Sequence, residues 1–296
     1  MQRRLAFRLV IWLGWAMVGP TAGVGATDAV TGTVPAPDGV AIAYTVRGEG
    51  ATTLVFVHGW CCDQTYWDHQ VRHFCPRCRV VTLDLAGHGR SGQERSVYTM
   101  AAFAQDVAAV VTGLELRQVV LVGHSLGGLV IVEAARLMPD RIIGLVPADS
   151  LQNVERRVAP EQAAIYLRPL ETDFAQSAQA FVRQNMFLPA SDSALVDRIA
   201  ADMAQGPPEV GRAVLREVFL YSVLPALAAV RVPLRCINSD RYPTDVAAAR
   251  RHLPTFDAVL TPGVGHFNMI EDPVAFNRLL ENFLGELPAG GTGGDR

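Results

Sequence analysis

The sequence predicts an α/β fold: a mostly parallel, doubly wound sheet interrupted by an inserted helical segment. Three observations carry that prediction. Short apolar runs rich in β-branched residues alternate with amphipathic stretches of helical length. Strands buried on both faces, with their covering helices, read in this way. Half of the 296 residues are hydrophobic and 19% are charged, which suits one globular domain with a large core and excludes disordered, collagen-like and disulfide-scaffold classes. The third observation is a break in the alternation. From Leu151 to Val230 no strand pattern is visible, only amphipathic segments punctuated by Pro160, Pro169, Pro189, Pro207, Pro208 and Pro225. A structureless loop of about 80 residues is foreign to a compact domain, so a helical cap over the sheet is expected.

Taken in order, residues 1–26 have the form of a secretory signal peptide. Arg3, Arg4 and Arg8 precede an apolar stretch from Leu9 to Val18, and Val24-Gly25-Ala26 supplies small residues for cleavage. The apolar run is short of the roughly 20 residues a membrane-spanning helix needs. Export to a periplasm or beyond is the expectation, with no stable membrane span in the remaining chain. The first part of the core then covers residues 27–150, the cap 151–230, the second part of the core 231–287, and a glycine-rich flexible tail 288–296. The expected strands are Val40–Val46, Thr53–Val57, Val80–Leu83, Val119–Val122, Ile142–Val146, Pro233–Ile237 and Ala258–Leu260. Helices are expected over Gln64–His73, Met100–Leu114, Leu126–Met138, Thr244–His252 and Pro273–Leu284.

Charge and composition exclude whole classes of chemistry. All 26 basic residues are arginine, so a Schiff-base lysine, a lysine-bearing phosphate loop and an S-x-x-K acyl-transfer pair are ruled out. A formal charge of −3 and a pI near 6.2 speak against a nucleic-acid partner. Removing the leader takes away three arginines and no acid, which lowers that charge of −3 to −6. Of the five cysteines, Cys75 and Cys78 flank a Pro-Arg pair at a spacing that leaves a short-loop disulfide open. Cys61 and Cys62 are adjacent, and Cys236 lies in an apolar run.

The chemistry concentrates where the run Val119–Val122 meets Gly123-His124-Ser125-Leu126-Gly127-Gly128 and the helical segment beyond. A serine between a strand and a helix, with glycine on both sides, is a nucleophile turn so tight that only small neighbours fit. The helix N-terminus adds free N–H groups and a positive dipole end. With Val57-His58-Gly59-Trp60, the run Asp84 to Ser91 and Gly263-Val264-Gly265-His266-Phe267, this motif makes the chain resemble the α/β-hydrolase family over nearly all of residues 38–286. The resemblance implies the α/β-hydrolase fold, a serine-nucleophile hydrolase of the esterase kind, and a Ser-His-Asp triad.

Ser125 needs a base. The resemblance assigns that role to His266, on a glycine-bearing loop before the final helix. His58 and His88 read as structural hydrogen-bonders, His124 as a residue that shapes the turn, and His252 as a solvated helix-end residue. His69 and His73, four apart and followed by Cys75 and Cys78, could be drawn as a zinc site, but nothing forces four ligands inward, and no metal is expected. The resemblance places the carboxylate that orients the base after the run Pro233–Ile237, which points to Asp240, 26 positions before His266. The family's usual wording there, a glycine, then two residues, then Asp-Pro, is not kept, and matching on Pro243 would put Tyr242 in the acid's place. Asp149, after Ile142–Val146, is the rival, and Asp245 a third choice. The turn supplies the backbone N–H of Leu126 as one oxyanion donor, and the resemblance points to that of Trp60 as the second. Asp84 reads as a holder of its own glycine-rich loop.

A serine nucleophile favours an acyl-enzyme route and a small-molecule acyl substrate, a carboxylic ester above all. That route needs no cofactor. A C–C bond hydrolase, a cofactor-free peroxidase or lyase using the same triad, and a non-catalytic ligand-binding protein are the alternatives. The cap should set specificity, and it offers Phe174, Phe181, Met186, Phe187, Phe219 and Tyr221 as apolar residues, with Arg168 and Arg183 as charged ones.

Overall fold

The computed structural model describes residues 29–287. The leader, residues 1–26, and the tail, residues 288–296, lie outside the described residues. Eight strands form one sheet: β1 (Val30–Pro35), β2 (Ala41–Arg47), β3 (Thr53–Val57), β4 (Arg79–Leu83), β5 (Val119–His124), β6 (Ile142–Ala148), β7 (Arg235–Ser239) and β8 (Asp257–Thr261). Their spatial order is β1-β2-β4-β3-β5-β6-β7-β8. The ladders β1–β2 and β2–β4 are antiparallel, and the rest of the sheet is parallel.

Parallel strands need crossover connections, which here are helices. Before the cap these are α1 (Asp68–Phe74), α2 (Met100–Gly113) and α3 (Leu126–Leu137). The cap region contains α4 (Pro160–Thr172), α5 (Phe174–Asn185), α6 (Ser193–Met203), α7 (Pro208–Leu220) and α8 (Leu224–Ala229). After it come α9 (Val246–His252), the short α10 (Asn268–Glu271) and α11 (Pro273–Glu286). α2 packs beside α3, and α1 packs against α11. Consecutive residues Leu54, Val55, Phe56 and Val57 of β3 are all fully buried. Since neighbours along a strand point to opposite faces, both faces of the sheet are covered. That double burial is why the central strands read as continuous apolar runs. Phe56 stacks near Trp67, their ring centroids 4.9 Å apart, and Trp67 in turn meets Phe276 of α11.

Residues 27–38 carry no strand pattern in the sequence, whereas Val30–Pro35 forms β1. This is an edge strand, four of its six residues exposed, and it contains Gly32 and Pro35. Glycine and proline mask a strand in sequence and are tolerated at a sheet edge.

From β3 the chain steps to β4 on one side, then crosses to β5 on the other. β3 and β5 therefore flank the point where the winding direction reverses. The carboxyl ends of strands at such a point open a crevice that receives ligands. In register, Val57 of β3 faces Gly123 of β5, and His124 faces Ala148 of β6. The loops carrying Trp60 and Ser125 thus leave the sheet side by side.

Candidate active site

Ser125 sits at the end of β5 with φ 53° and ψ −112°, in the left-handed region that a residue with a side chain enters only at a cost. Strain of this kind costs on the order of 1–3 kcal/mol and persists where the surroundings over-determine it. Here they do. The Ser125 N–H donates to the Ala148 carbonyl at 2.9 Å, and Ser150 Oγ donates to the Ser125 carbonyl at 2.9 Å. A Cβ on Gly123 would overlap the Gly127 carbonyl, and one on Gly127 would overlap the Val57 carbonyl. Both glycines of the motif are therefore required by close backbone approach.

His266 lies on the loop between β8 and α10, and three of its polar groups are held. Its N–H donates to the Met186 carbonyl at 2.6 Å. Its carbonyl accepts from His124 Nε2 at 2.9 Å. Its ring Nδ1 meets Asp149 Oδ2 at 2.5 Å. Nε2 is the ring nitrogen left without a hydrogen bond among the described residues. The rings of His124 and His266 are 4.7 Å apart, so the histidine that precedes Ser125 in the chain also braces the His266 loop.

The carboxylate at His266 is that of Asp149, and not that of Asp240, the residue expected from the sequence. Asp149 follows β6 directly in a left-handed conformation, φ 42°. Its N–H donates to the Ile237 carbonyl at 3.0 Å, and its Oδ1 accepts the Ser239 N–H at 2.7 Å. Its side chain is 1% exposed. Burial works against its charge, but hydrogen bonds from His266 and Ser239 outweigh that and hold its carboxyl below the usual carboxylate value. Asp240 is exposed and accepts the Gly263 N–H at 3.0 Å. Two things hid this arrangement. β7 runs on to Ser239, so Asp240 begins the loop above the strand. Ser239, still in the strand, spends its N–H on Asp149. Asp245, the third choice, caps α9 through the Ala248 N–H at 2.9 Å.

The remaining residues singled out in the sequence occupy definite places. Trp60 is buried, donates from Nε1 to the Gly211 carbonyl of α7 at 2.7 Å, and meets Phe174 and Phe181 of α5 edge-on. Its indole thus fastens the β3 loop to the cap. The loop is turned by Cys61, φ 52°, and by a bond from the Cys62 N–H to the Gly59 carbonyl. No backbone acceptor among the described residues takes the N–H of Trp60 or of Leu126. As the first residue of α3, Leu126 has no intrahelical acceptor. Both belong to the loops that leave β3 and β5 side by side.

His58 lies between the Gly59 carbonyl, 2.8 Å from Nδ1, and the Leu85 N–H, 3.0 Å from Nε2. Burial lowers its pKa and brings those of His88 and His124 down to about 3, with a neighbouring histidine adding to the effect in the latter two. All three are neutral near pH 7. Asp84 accepts from the Gln64 backbone and side chain and from the Arg90 N–H, at 2.7–3.0 Å. It organises the loops it joins. His73 pairs with Glu281 at 2.8 Å, and Cys75 and Cys78 are free thiols.

Some contributors to the site carried no signal in the sequence. Glu271 accepts the Gly265 N–H at 2.9 Å and a hydrogen bond from Ser191 Oγ at 2.7 Å. Arg241 donates to the carbonyls of Gln184 and Phe187. Such side chains are indistinguishable from solvated surface charge until the chain is folded.

Ser125 thus stands on a strained strand–helix turn, and His266, held by the buried Asp149 carboxylate, is tied to that turn through His124. The profile of the Alpha/beta hydrolase family matches residues 54–279, and the chain belongs to that family. Pimeloyl-[acyl-carrier protein] methyl ester esterase of Yersinia pseudotuberculosis is 28% identical over 254 residues, spanning 81% of this chain and 95% of that protein. Among solved structures, an esterase from Exiguobacterium antarcticum superposes with a TM-score of 0.78 at 16% identity, over 86% of this chain and all of its own. The enol-lactonase from Burkholderia xenovorans LB400 gives 0.76 at 20% identity, with coverage of 86% and 100%. At such identities the two structures speak for the fold. The chain is an enzyme of the α/β-hydrolase class, and no helix among its described residues is long and apolar enough to cross a membrane.

Proposed function

We propose that this enzyme cleaves carboxylic esters or closely related acyl compounds through an acyl-enzyme intermediate. In this reading Ser125 is the nucleophile, His266 the general base and Asp149 the carboxylate that orients it. The observation that carries the reading is the 2.5 Å contact between His266 Nδ1 and buried Asp149, on the sheet edge that also presents Ser125. With Nδ1–H committed to Asp149, the tautomer is fixed and the lone pair of Nε2 faces outward. That lone pair takes the Ser125 proton as Oγ attacks the acyl carbon. The developing oxyanion is met by the N–H groups of Trp60 and Leu126, each worth roughly 3 kcal/mol in the transition state. His266 then returns the proton to the leaving alcohol, and water repeats the sequence to free the acid. The ester chemistry named for the Yersinia relative supports this substrate class.

The test uses p-nitrophenyl acetate and butyrate with the purified chain. Turnover and labelling by a serine-directed fluorophosphonate are expected, and Ser125→Ala should abolish both. An unlabelled, inactive wild-type protein would overturn the reading. We also propose that the enzyme is exported, on the strength of the arginine-led apolar leader at residues 1–26. Cell fractionation checks this: the chain should be found outside the cytoplasm, and shortened to begin near Thr27.

A further inference from the structure

We infer that the cap is part of the device that aligns the base, with Glu271 and Ser191 as positioning residues and Met186 as the point of contact. The inference rests on the assignment of His266 as the base. Between α5 and α6 the cap dips toward the sheet edge, and there its loop touches the His266 loop on several sides. The Met186 carbonyl takes the His266 N–H at 2.6 Å. Glu271 spans the two loops, with Oε1 on the Gly265 N–H at 2.9 Å and Oε2 on Ser191 Oγ at 2.7 Å. Ser191 Oγ also accepts the Leu188 N–H at 3.1 Å, which turns the cap loop back on itself. Phe187 stacks on Phe267, the residue after the base, with ring centroids 5.4 Å apart.

A second anchor holds the same cap loop from outside. Arg241 donates to the carbonyls of Gln184 and Phe187. A carbonyl in the last turn of a helix has no intrahelical partner, and a guanidinium suits the negative dipole end there. The loop after β7, which holds no carboxylate at His266, thus contributes by fixing the end of α5.

In consequence, His266 is gripped through its N–H by the cap, through its carbonyl by His124 of the serine turn, and through its ring by Asp149. Two of these grips belong to the sheet scaffold and one to the insertion. Displacing the cap breaks the third, so the position of the cap and the alignment of the base are coupled.

The chemistry of the bridge dictates the variants. Glu271→Ala removes both acceptors. Glu271→Gln keeps an oxygen for Gly265 and offers an N–H₂ to Ser191, whose hydroxyl can turn to accept it. Ser191→Ala, a small change on a half-exposed loop, removes the link while leaving the fold intact. For Glu271→Ala and Ser191→Ala, kcat on p-nitrophenyl butyrate should fall about 10- to 100-fold, the order expected when a reacting group is misplaced. KM should change little, the two losses should not add in the double variant, and Glu271→Gln should recover most of the rate. Hydrogen–deuterium exchange of the segment holding Gly265 and His266 gives a readout independent of turnover. Its protection should drop in both broken variants and return in Glu271→Gln. Unchanged protection, or unchanged kcat in an active enzyme, overturns the inference and leaves the hydrolase reading standing. An inactive, unlabelled wild type sinks that reading instead, and the exchange data still decide whether the cap clamps the His266 loop.

Discussion

Two aspartates, Asp149 and Asp240, leave adjacent parallel strands at the same edge of the sheet, and their fates differ. The loop after β6 folds Asp149 inward through a left-handed residue, and the carboxylate finds two strong donors, Ser239 N–H and His266. The loop after β7 turns outward, and Asp240 meets one backbone N–H at the surface. A buried charge survives only when hydrogen-bonded on several sides. The difference therefore lies in the backbone donors each loop inherits, since the residue type is the same. The donor that decides is Ser239 N–H: β7 supplies it, and the loop after β6 uses it.

The sharpest way to break this comparison is to neutralise each carboxylate in turn. Asp149→Asn should lower kcat by about 10³- to 10⁴-fold, because the amide cannot hold the tautomer that keeps Nε2 basic. Steady-state kinetics on p-nitrophenyl butyrate measures it. A loss confined to a few-fold would remove Asp149 from the proposed triad.

The next effect is on the turn that carries Ser125. In Gly127→Ala the new methyl would overlap the Val57 and His58 carbonyls. Backbone cannot yield as a flexible side chain does, so the turn must shift. A destabilisation of about 2–4 kcal/mol and loss of fluorophosphonate labelling are expected. Thermal unfolding followed by circular dichroism checks the first, and gel labelling the second. A variant as stable and as readily labelled as the parent would mean that the turn is not as tight as its backbone implies.

These residues also show what the amino-acid sequence makes legible. The turn around Ser125 could be found because its constraint is local: two close backbone approaches demand glycine two positions either side of the serine. His266 could be found because the family resemblance points to the glycine-bearing loop that follows the last strand-like run of the fold. The choice between Asp149 and Asp240 was not legible, because it depends on where β7 ends and on a bond between residues 90 positions apart. Glu271 and Ser191, 80 positions apart, were invisible for the same reason. β1 was missed because an exposed edge strand carries no apolar run. What escaped was long-range or solvent-facing, and propensity and periodicity report neither.

Acid sharpens the comparison further. Asp149 is held below the ordinary carboxylate value of 3.8 in the folded chain. A group with a depressed folded pKa contributes stability that is fully present above its unfolded value and is lost as pH falls through the folded one. Urea unfolding followed from pH 5 downward should therefore show the stability of the parent dropping below about pH 4 more steeply than that of Asp149→Asn. Parallel curves for the two proteins would show that the buried pair with His266 does not carry this part of the acid response.

The smallest effect is expected at the outer aspartate. Asp240→Asn keeps an oxygen for the Gly263 N–H, and Asp240→Ala removes it at an exposed position where water substitutes. A hydrogen bond of that kind contributes about 1 kcal/mol or less. Gly263 is three residues from His266 and has a positive φ of 73°, so its turn is set by glycine's own freedom as much as by the aspartate. Both variants should keep kcat within about 3-fold, with Asp240→Ala the slower of the two, through a loosened β8 turn. A loss of 100-fold or more in Asp240→Asn, with Asp149→Asn nearly silent, would invert the roles of the two strand ends.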